Sequence, residues 1–422
     1  MQNDIPRHGL RPATVGVHGG YDDDASTGAT AVPIFQTASY AYGTTRGLAD
    51  VFRGRAPGHV YSRISNPTTY ALERRLAQME GGVGAIATAS GMGAITAVMT
   101  ALLRADEEIV SVRGIFGGTV SLFRNVLSRF NIRATLTAPD AESVSAAVTD
   151  ATKVIFAETI TNPVMDVPDL QALSEVARSH NIPLVVDATV TTPALARVKD
   201  FGADVIVHST TKFINGHGTA IGGAIVDTGN YRWAEGRFED LASLARKAGE
   251  MALLARLRNV VYRDLGACPA PQNSFLMLQG LETLSARMPI HCQNALRLAE
   301  LLDSLPGVGW VSYPGLPSSP HKPVVDRLYG GVGGAILTFG LAGKADPSRC
   351  MDSLVLARRM TNLGDAKTLV LHPASTIFAE YDRPERLKLG VTDDMIRVSV
   401  GIEDFEDIRD DFEQAIAQSM EN

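Results

Sequence analysis

The chain has 422 residues, 45% of them hydrophobic and 20% charged, and its formal net charge is −7. This composition predicts a globular protein large enough for two domains, and the acidic charge argues against sequence-independent binding to nucleic acid. The three cysteines, Cys268, Cys292 and Cys350, are far apart in the sequence, which argues against a disulfide framework and favours a reducing cytoplasm.

The N-terminal part of the chain is rich in Gly, Thr and Asp and shows little periodicity, so we predict an extended arm over residues 1–60. Its polar beginning lacks the apolar core of a signal peptide. After the arm, Leu72, Leu76 and Met79 fall on one face of a predicted helix around Thr69–Met79.

The uncharged stretch Gly84–Leu103 has the length of a membrane span. Its central segment "TASGMG" contains small and hydroxyl residues, which interrupt the apolar run. We therefore predict a buried strand, a glycine turn and a buried helix rather than a transmembrane helix.

Short apolar runs alternate with helical patterns through the middle of the chain. The predicted strands are "AIATA" (85–89), "EIVSV" (108–112), "KVIFA" (153–157), "PLVVDA" (183–188), "ADVIVH" (203–208) and "GGAIVD" (222–227). Between them, residues 119–130 and 169–180 have helical patterns. This alternation predicts an α/β domain over residues 61–260, with a mostly parallel central sheet and helices on both faces.

The remaining sequence predicts a smaller α+β domain over residues 261–422. A helical zone extends from about residue 231 to residue 305. It is followed by the strand patterns "GAILTFG" (334–340) and "MIRVSV" (395–400), and by helices around 347–361 and 404–419.

Polar residues follow three of the predicted strands, at the carboxyl ends where open parallel sheets bind their ligands. The first strand leads into "SGM" at the start of a helix, whose free N–H groups favour phosphate. The residues at these ends are Ser90, Gly91, Met92, Asp187, Ser209, Thr211 and Lys212.

Pyridoxal phosphate (PLP) requires a set of groups of this kind. It needs a lysine for a Schiff base, an acid beside its ring nitrogen and an anion site for its phosphate. Lys212, Asp187 and the "SGM" turn with Ser209 and Thr211 supply them.

Taken singly, each of these features has a simpler structural explanation. Asp187 can be a strand-end cap, and His208 can be a packed strand residue. The segment "GGVGA" (81–85) is similar to a dinucleotide loop, but it follows a helix rather than a strand. The nine histidines indicate no metal site.

Six segments in order along the chain resemble motifs of the Cys/Met-metabolism PLP enzymes: cystathionine synthases and lyases, methionine γ-lyase and O-acylhomoserine sulfhydrylases. The segments are "VYSRISNPT" (60–68), "ATASGMGAI" (87–95), "ETITNP" (158–163), "HSTTKFINGHGTAIGG" (208–223), "LGDAKTLVLHPAST" (363–376) and "IRVSVGIED" (396–404). The resemblance implies the type I fold of PLP-dependent transferases, and it is closest to the O-acetyl- and O-succinylhomoserine sulfhydrylases.

The resemblance also implies roles around the cofactor. Lys212 would form the Schiff base and shuttle protons, and Asp187 would face the ring nitrogen, although Ala188 stands where relatives often have Asn. Asn162 would bond the ring hydroxyl. The phosphate cradle implied by the resemblance is Ser90, Gly91, Met92, Ser209 and Thr211.

Further residues are implied to bind the substrate or a neighbouring subunit's cofactor. Arg397 would hold the substrate's α-carboxylate in a bidentate fork, with Asn362 and Ser375 as further substrate contacts. Tyr61 and Arg63 would reach the phosphate in a neighbouring subunit, which implies shared active sites in a homotetramer built as a dimer of dimers.

Phe116 occupies a position where many relatives have a tyrosine that stacks on the cofactor and protonates the leaving group. A phenylalanine can stack but cannot donate a proton. A thiolate leaving group, with a pKa of about 8.5 or higher, benefits from an acid catalyst, whereas a carboxylate, with a pKa of about 4, does not need one. Phe116 therefore favours an oxygen-linked leaving group.

A second departure follows "HPAST", where Ile377 and Phe378 replace the usual Thr-His. This loop is expected to border the distal end of the substrate. The two residues would therefore give that part of the site a bulkier and more apolar wall.

The leading hypothesis is PLP-dependent γ-replacement on O-acetyl- or O-succinylhomoserine, with a sulfur nucleophile giving homocysteine or methionine. A γ-lyase acting on a homoserine-like substrate such as canavanine or methionine is the alternative. A non-catalytic or NAD-binding α/β protein is a third possibility, which Lys212 and Asp187 argue against.

Overall fold

The apolar runs of residues 84–227 form one seven-stranded sheet in the computed structural model, which describes residues 10–22, 27–343 and 345–420. The strands are β1 (Gly84–Thr88), β2 (Glu108–Val112), β3 (Arg133–Thr137), β4 (Thr152–Glu158), β5 (Leu184–Asp187), β6 (Val205–His208) and β7 (Gly223–Asp227). Their order across the sheet is β1-β7-β6-β5-β4-β2-β3, and β7 alone is antiparallel to its two neighbours. The mostly parallel sheet of the prediction is confirmed.

The central strands are apolar except near their ends because helices cover both faces of the sheet. The β-branched residues of β5 and β6 are fully buried. By contrast, β3 reads "RATLT", is only partly buried at the sheet edge and was not predicted, because an edge strand needs no continuous apolar run.

The described part of the chain contains α1 (Pro12–His18), α2 (Thr45–Phe52), α3 (Pro67–Glu80), α4 (Gly91–Leu102), α5 (Gly117–Ser121), α6 (Ala141–Ala147), α7 (Leu170–Ser179), α8 (Thr192–Leu195), α9 (Glu239–Ala248), α10 (Ala252–Arg256), α11 (Tyr262–Leu265), α12 (Pro271–Ser304), α13 (Lys322–Tyr329), α14 (Pro347–Ser353), α15 (Arg383–Lys388) and α16 (Phe405–Met420). Short 3-10 or π segments extend α5 to Phe130 and join α9 to α11. Within the described residues, no helix has both the length and the apolar character that a membrane span requires.

The stretch Gly84–Leu103 forms β1, a turn and α4, as predicted. Ser90 begins α4 by accepting a hydrogen bond from the Gly93 N–H on its Oγ, at 3.0 Å. This cap satisfies one of the free donors of the first turn and ends the apolar run of the strand.

The segment predicted as an extended arm contains two short helices, α1 and α2. Pro12 begins α1, whose buried Val15 and Gly16 lie against the large domain. The backbone oxygen of Leu281 in α12 lies 3.0 Å from where a Cβ on Gly16 would stand, so α1 packs closely on α12. A helix this short contains too few turns to show a hydrophobic period.

The helix predicted around 347–361 is shorter, because α14 ends at Ser353. The Asp411 carboxylate accepts hydrogen bonds from the N–H groups of Val355, Leu356 and Ala357, at 2.7–3.0 Å. These bonds hold the chain in a non-helical turn, and residues 358–359 then form a short strand.

A second sheet forms the centre of the small domain. Its strands are β8 (Val308–Ser312), β9 (Ile336–Leu341), β10 (Arg358–Arg359), β11 (Leu369–Leu371) and β12 (Met395–Ser399), in the order β10-β11-β12-β9-β8. The two hydrophobic cores meet along α12, since Cys292 belongs to the core of the large domain and Ala295 to that of the small domain. The domain boundary predicted from the sequence, between residues 260 and 261, stays a prediction.

Candidate active site

A cavity of about 490 Å³ lies where the carboxyl ends of β4, β5 and β6 meet the beginning of α4 and the end of the small domain's β12. Most of the residues predicted for the site line it: Ser90, Gly91, Met92, Phe116, Asn162, Asp187, Ser209, Thr211, Lys212 and Arg397. The carboxyl ends of the parallel strands and β12 of the small domain together bring residues up to 307 positions apart, from Ser90 to Arg397, into one cavity.

Lys212 lies in the turn that follows β6. Its Nζ donates a hydrogen bond to Asn362 Oδ1 at 2.8 Å, so a small-domain residue reaches the lysine. Burial, and next the charge of Arg397, lower the pKa of Lys212 to about 8. A buried lysine of lowered pKa supplies a neutral, nucleophilic amine closer to neutral pH than an exposed lysine does.

Asp187 ends β5, and its Oδ1 accepts a hydrogen bond from the Thr189 N–H at 2.9 Å. Thr189 Oγ1 in turn accepts from the Ser209 N–H at 2.8 Å, which links the ends of β5 and β6. Burial raises the pKa of Asp187, against the hydrogen bonding of Thr189 and the charge of His208. A bound cation would stabilise the ionised form of this carboxyl.

The beginning of α4 approaches the end of β6 so closely that only glycine fits between them. A Cβ on Gly91 would stand 2.7 Å from Ser209 Cβ and 3.0 Å from Ser209 Cα. The N–H groups of Gly91 and Met92 precede the first intrahelical bonds, so they remain available to an anion. Thr211 lies beside them, with its Oγ1 bonded to both the N–H and the oxygen of Gly222.

Arg397 is a buried cation in β12 with no carboxylate partner among the described residues of the chain. Its Nη1 donates to Asn162 Oδ1 at 3.2 Å, and its Nη2 donates to the backbone oxygen of Asn362 at 3.0 Å. The Nε has no partner in the structure, and burial lowers the pKa of the guanidinium to about 10. Such a group binds an anionic ligand readily because its desolvation is already complete.

Glu158 lines the same cavity and was missed in the sequence, although it directly follows the predicted strand "KVIFA" (153–157). It ends β4 and pairs in register with Asp187 on β5. Its carboxylate accepts hydrogen bonds from the N–H groups of Phe116 and Asn162. Burial and the charge of Asp187 raise the pKa of Glu158.

Phe116 and Ile377 contribute apolar lining to the cavity. Phe116 lies just before α5, and its side chain is 36% exposed. Phe378, which was expected to border the same space, is instead buried behind it in a small cluster with Ala374 and Met395. Its ring packs against Gly117, where a Cβ would meet it at 3.4 Å.

The remaining predicted residues lie outside the cavity lining. Tyr61 is 43% exposed, and the Arg63 guanidinium lies 5.3 Å from the centre of its ring. Asn362 contacts Lys212 from the rim, and Ser375 is exposed with its Oγ bonded to His372 Nδ1 at 2.7 Å. The roles predicted for these four residues, like those of the residues that line the cavity, stay predictions.

Two further observations concern His208 and the possibility of a metal site. His208 Nε2 lies 2.7 Å from Glu80 Oε1, and both side chains are fully buried. Over residues 10–22, 27–343 and 345–420, no three His, Cys, Asp or Glu side chains are grouped as metal ligands would be.

The three groups that PLP requires therefore line one cavity: the amine of Lys212, the carboxyl of Asp187 at the neighbouring strand end and the N-terminus of α4. This arrangement is typical of PLP-binding enzymes with a parallel sheet. The model of the Cys/Met metabolism PLP-dependent enzyme family matches residues 13–417, and the chain belongs to this family.

Individual relatives match over nearly their whole length. The chain is 41% identical to a homocysteine synthase of Schizosaccharomyces pombe, over 96% of this chain and 97% of the relative. It is 38% identical to an O-acetyl-L-homoserine sulfhydrylase of Leptospira meyeri, over 98% of each. The crystal structure of a putative O-acetylhomoserine (thiol)-lyase of Campylobacter jejuni superposes with a TM-score of 0.92, at 33% identity, over 97% of this chain and 100% of that one.

The family assignment confirms the prediction of PLP as cofactor, and the structure of the C. jejuni protein contains N'-pyridoxyl-lysine-5'-monophosphate. The cavity fits the group on its own evidence. Gly91 leaves the space that a Cβ would fill beside Ser209. The half-buried Asp187 carboxyl accepts from the Thr189 N–H and forms no ion pair with a described residue of the chain. Lys212 would hold the cofactor covalently, and Gly91, Met92 and Ser209 would hold its phosphate.

Proposed function

We propose that the protein catalyses γ-replacement on O-acetylhomoserine, in which a sulfur nucleophile displaces acetate to give homocysteine or a thioether such as methionine. The observation that carries this proposal is the cavity lining. Phe116, Ile221, Leu363 and Ile377 form an apolar part of the lining that has no proton to donate, and this favours a leaving group that departs without an acid catalyst. Acetate satisfies this requirement because its conjugate acid has a pKa of about 4 to 5.

The charges in the cavity favour an acetyl over a succinyl ester. Lys212 and Arg397 are the cations among the described residues that line it. Lys212 would bind the cofactor, and Arg397 would bind the α-carboxylate. A succinyl group would bring one more carboxylate into an apolar region without a cation to pair with it, which is costly.

In the proposed mechanism, the guanidinium of Arg397 binds the substrate's α-carboxylate. Asn162 and the backbone oxygen of Asn362 orient this guanidinium. PLP, when bound, withdraws electrons from the substrate's α-carbon and so acidifies its C–H bonds. Asp187 would keep a proton at the ring nitrogen, and Phe116 would cover the ring face. The neutral amine of Lys212 would take one proton from the α-carbon and then one from the β-carbon, whose electron pair expels acetate from the γ-carbon. After the sulfur nucleophile has added at the γ-carbon, Lys212 would return a proton to each of the two carbons.

We propose further that the enzyme is a cytoplasmic homotetramer in which Tyr61 and Arg63 complete a neighbour's phosphate site. Both side chains lie at the surface, outside the cavity of their own subunit. The three cysteines are free, which fits a reducing compartment.

The test is a substrate panel on the purified holoenzyme, with Lys212→Ala as the inactive control. O-acetylhomoserine, O-succinylhomoserine, canavanine, methionine and cystathionine are each supplied with and without sulfide, and products are identified by mass. We expect homocysteine from O-acetylhomoserine and sulfide as the fastest reaction. Release of ammonia and a 2-keto acid from methionine or canavanine at a higher kcat/KM would support the alternative, a γ-lyase.

A further inference from the structure

Glu158 joins two loops that carry different parts of the site. Its Oε1 accepts a hydrogen bond from the Phe116 N–H at 2.7 Å, and its Oε2 accepts one from the Asn162 N–H at 3.2 Å. Phe116 lies in the loop between β2 and α5, whereas Asn162 lies in the loop that follows β4. One side chain, which is only 5% exposed, therefore sets the spacing between these loops.

The two loops meet the ligand in different ways. Phe116 contributes an aromatic ring to the cavity. Asn162 also contacts the small domain, because its Oδ1 accepts a hydrogen bond from Arg397 Nη1 at 3.2 Å. A chain of contacts thus runs from Glu158 through Asn162 to the guanidinium that faces the substrate's carboxylate.

We propose that Glu158 is a positioning residue, whose carboxylate holds Phe116 over the cofactor face and, through Asn162, orients Arg397 toward the α-carboxylate of an amino-acid ligand. This rests on the proposed function only in assigning the carboxylate to Arg397.

The chemistry of the two bonds explains why a carboxylate is needed at this position. Both partners are backbone N–H groups, so both side-chain oxygens must accept. A glutamine of the same size can accept with one oxygen only, and its NH2 group would face the other N–H. The burial that raises the pKa of Glu158 is opposed by these same two bonds.

The experiment uses holoenzyme and two probes that need no turnover, L-alanine and ethylamine, which lacks the carboxylate. The affinity of each is read from the change in PLP absorbance, and the ratio of the two affinities measures what Arg397 contributes. Glu158→Gln should reduce the preference for alanine by about 10-fold or more, since a hydrogen bond to a charged group contributes about 1.5–3 kcal/mol. KM for O-acetylhomoserine should rise more than kcat falls.

Glu108→Gln is the matched control. Glu108 is also a buried strand carboxylate, but it begins β2 at the opposite end of the sheet and accepts from the hydroxyls of Thr135, Thr149 and Thr152. The Glu108→Gln protein should be less stable than the wild type but should keep the wild-type ratio of alanine to ethylamine affinity. An unchanged ratio in a folded, PLP-loaded Glu158→Gln protein would overturn the proposal.

Asn162→Ala tests the proposal independently of Glu158→Gln. It removes the amide that contacts Arg397 and should lower the same ratio, and the double variant with Glu158→Gln should lower it little further because both act through one chain of contacts. Additive effects in the double variant would contradict the proposal. If Glu158→Gln does not fold, a wild-type ratio in Asn162→Ala overturns it. These readouts do not depend on which γ-substrate is turned over.

Discussion

Lys212 combines burial with a small-domain contact, since its amine is desolvated and also bonded to Asn362. A pKa of about 8 in place of the usual 10.5 means that the folded apoenzyme holds this proton less tightly than the unfolded chain. The folded-state pKa is the lower one, so the protonated lysine costs stability below about pH 8, and the cost disappears as the pH rises to 10.5.

We therefore expect Lys212→Met to stabilise the PLP-free protein at pH 7, by at most about 3 kcal/mol. Urea unfolding of both apoproteins at several pH values measures it, and the gain should shrink between pH 8 and pH 10. Lys247→Met, at an exposed lysine, is the control and should show no such pH dependence. A gain at Lys212 that stays constant with pH would show that the burial does not disfavour the charge.

We expect Phe116 to determine which leaving groups the enzyme can expel. Phe116→Tyr should raise kcat/KM for methionine and cystathionine, because the hydroxyl supplies the missing general acid, and it should change O-acetylhomoserine turnover little. General acid catalysis contributes about 10²–10⁴-fold, which bounds the gain. Steady-state kinetics with each substrate measure it.

The control for this variant is Phe130→Tyr, which adds the same hydroxyl at a side chain that is 63% exposed. A wild-type enzyme that already prefers methionine would refute the argument, because another acid would then serve the leaving group.

At the scale of elements, the close approach of α4 to β6 forms the proposed phosphate site. A helix N-terminus attracts phosphate only within its first turn, and Gly91 allows that turn to reach Ser209. The small domain contributes to the same cavity through β12 and the loop around Asn362, so the site belongs to both domains.

Gly91→Ala should raise the dissociation constant of PLP by about 10-fold or more, because the new Cβ would collide with Ser209 and displace the start of α4. Fluorescence titration of the apoprotein with PLP measures the change. Gly309→Ala, in which the added Cβ meets its neighbours at an ordinary distance of 3.5 Å, is the control and should bind PLP normally. Equal affinities for the two variants would argue against the close approach.

At the scale of the whole molecule, the prediction concerns shared active sites. If Tyr61 and Arg63 serve a neighbour, then Arg63→Ala and Lys212→Ala damage different halves of one site. Mixing the two inactive proteins under conditions of subunit exchange should restore some activity, since some hybrid sites are intact. Sedimentation should show a tetramer.

A mixture of two Lys212→Ala preparations is the control and should stay inactive. A fully active monomer at the assay concentration would refute the shared site.

The sequence by itself determined the parallel sheet, the cofactor and the lysine, because apolar periodicity and the motifs around Lys212 and Asp187 are local properties of the chain. It did not show the length of α14, which depends on Asp411, or the existence of α1, whose partner is the distant α12.

Only the tertiary structure decided how the site residues hold one another. Glu158 looks like any strand-end acid until the fold brings the Phe116 N–H to it, and Asn362 reaches Lys212 across 150 residues. Likewise Ile377 and Phe378 are adjacent in sequence, yet the first lines the cavity and the second is buried behind it. Hydrogen-bond partners and the direction of a side chain from a loop depend on packing between distant segments, and no local pattern records them.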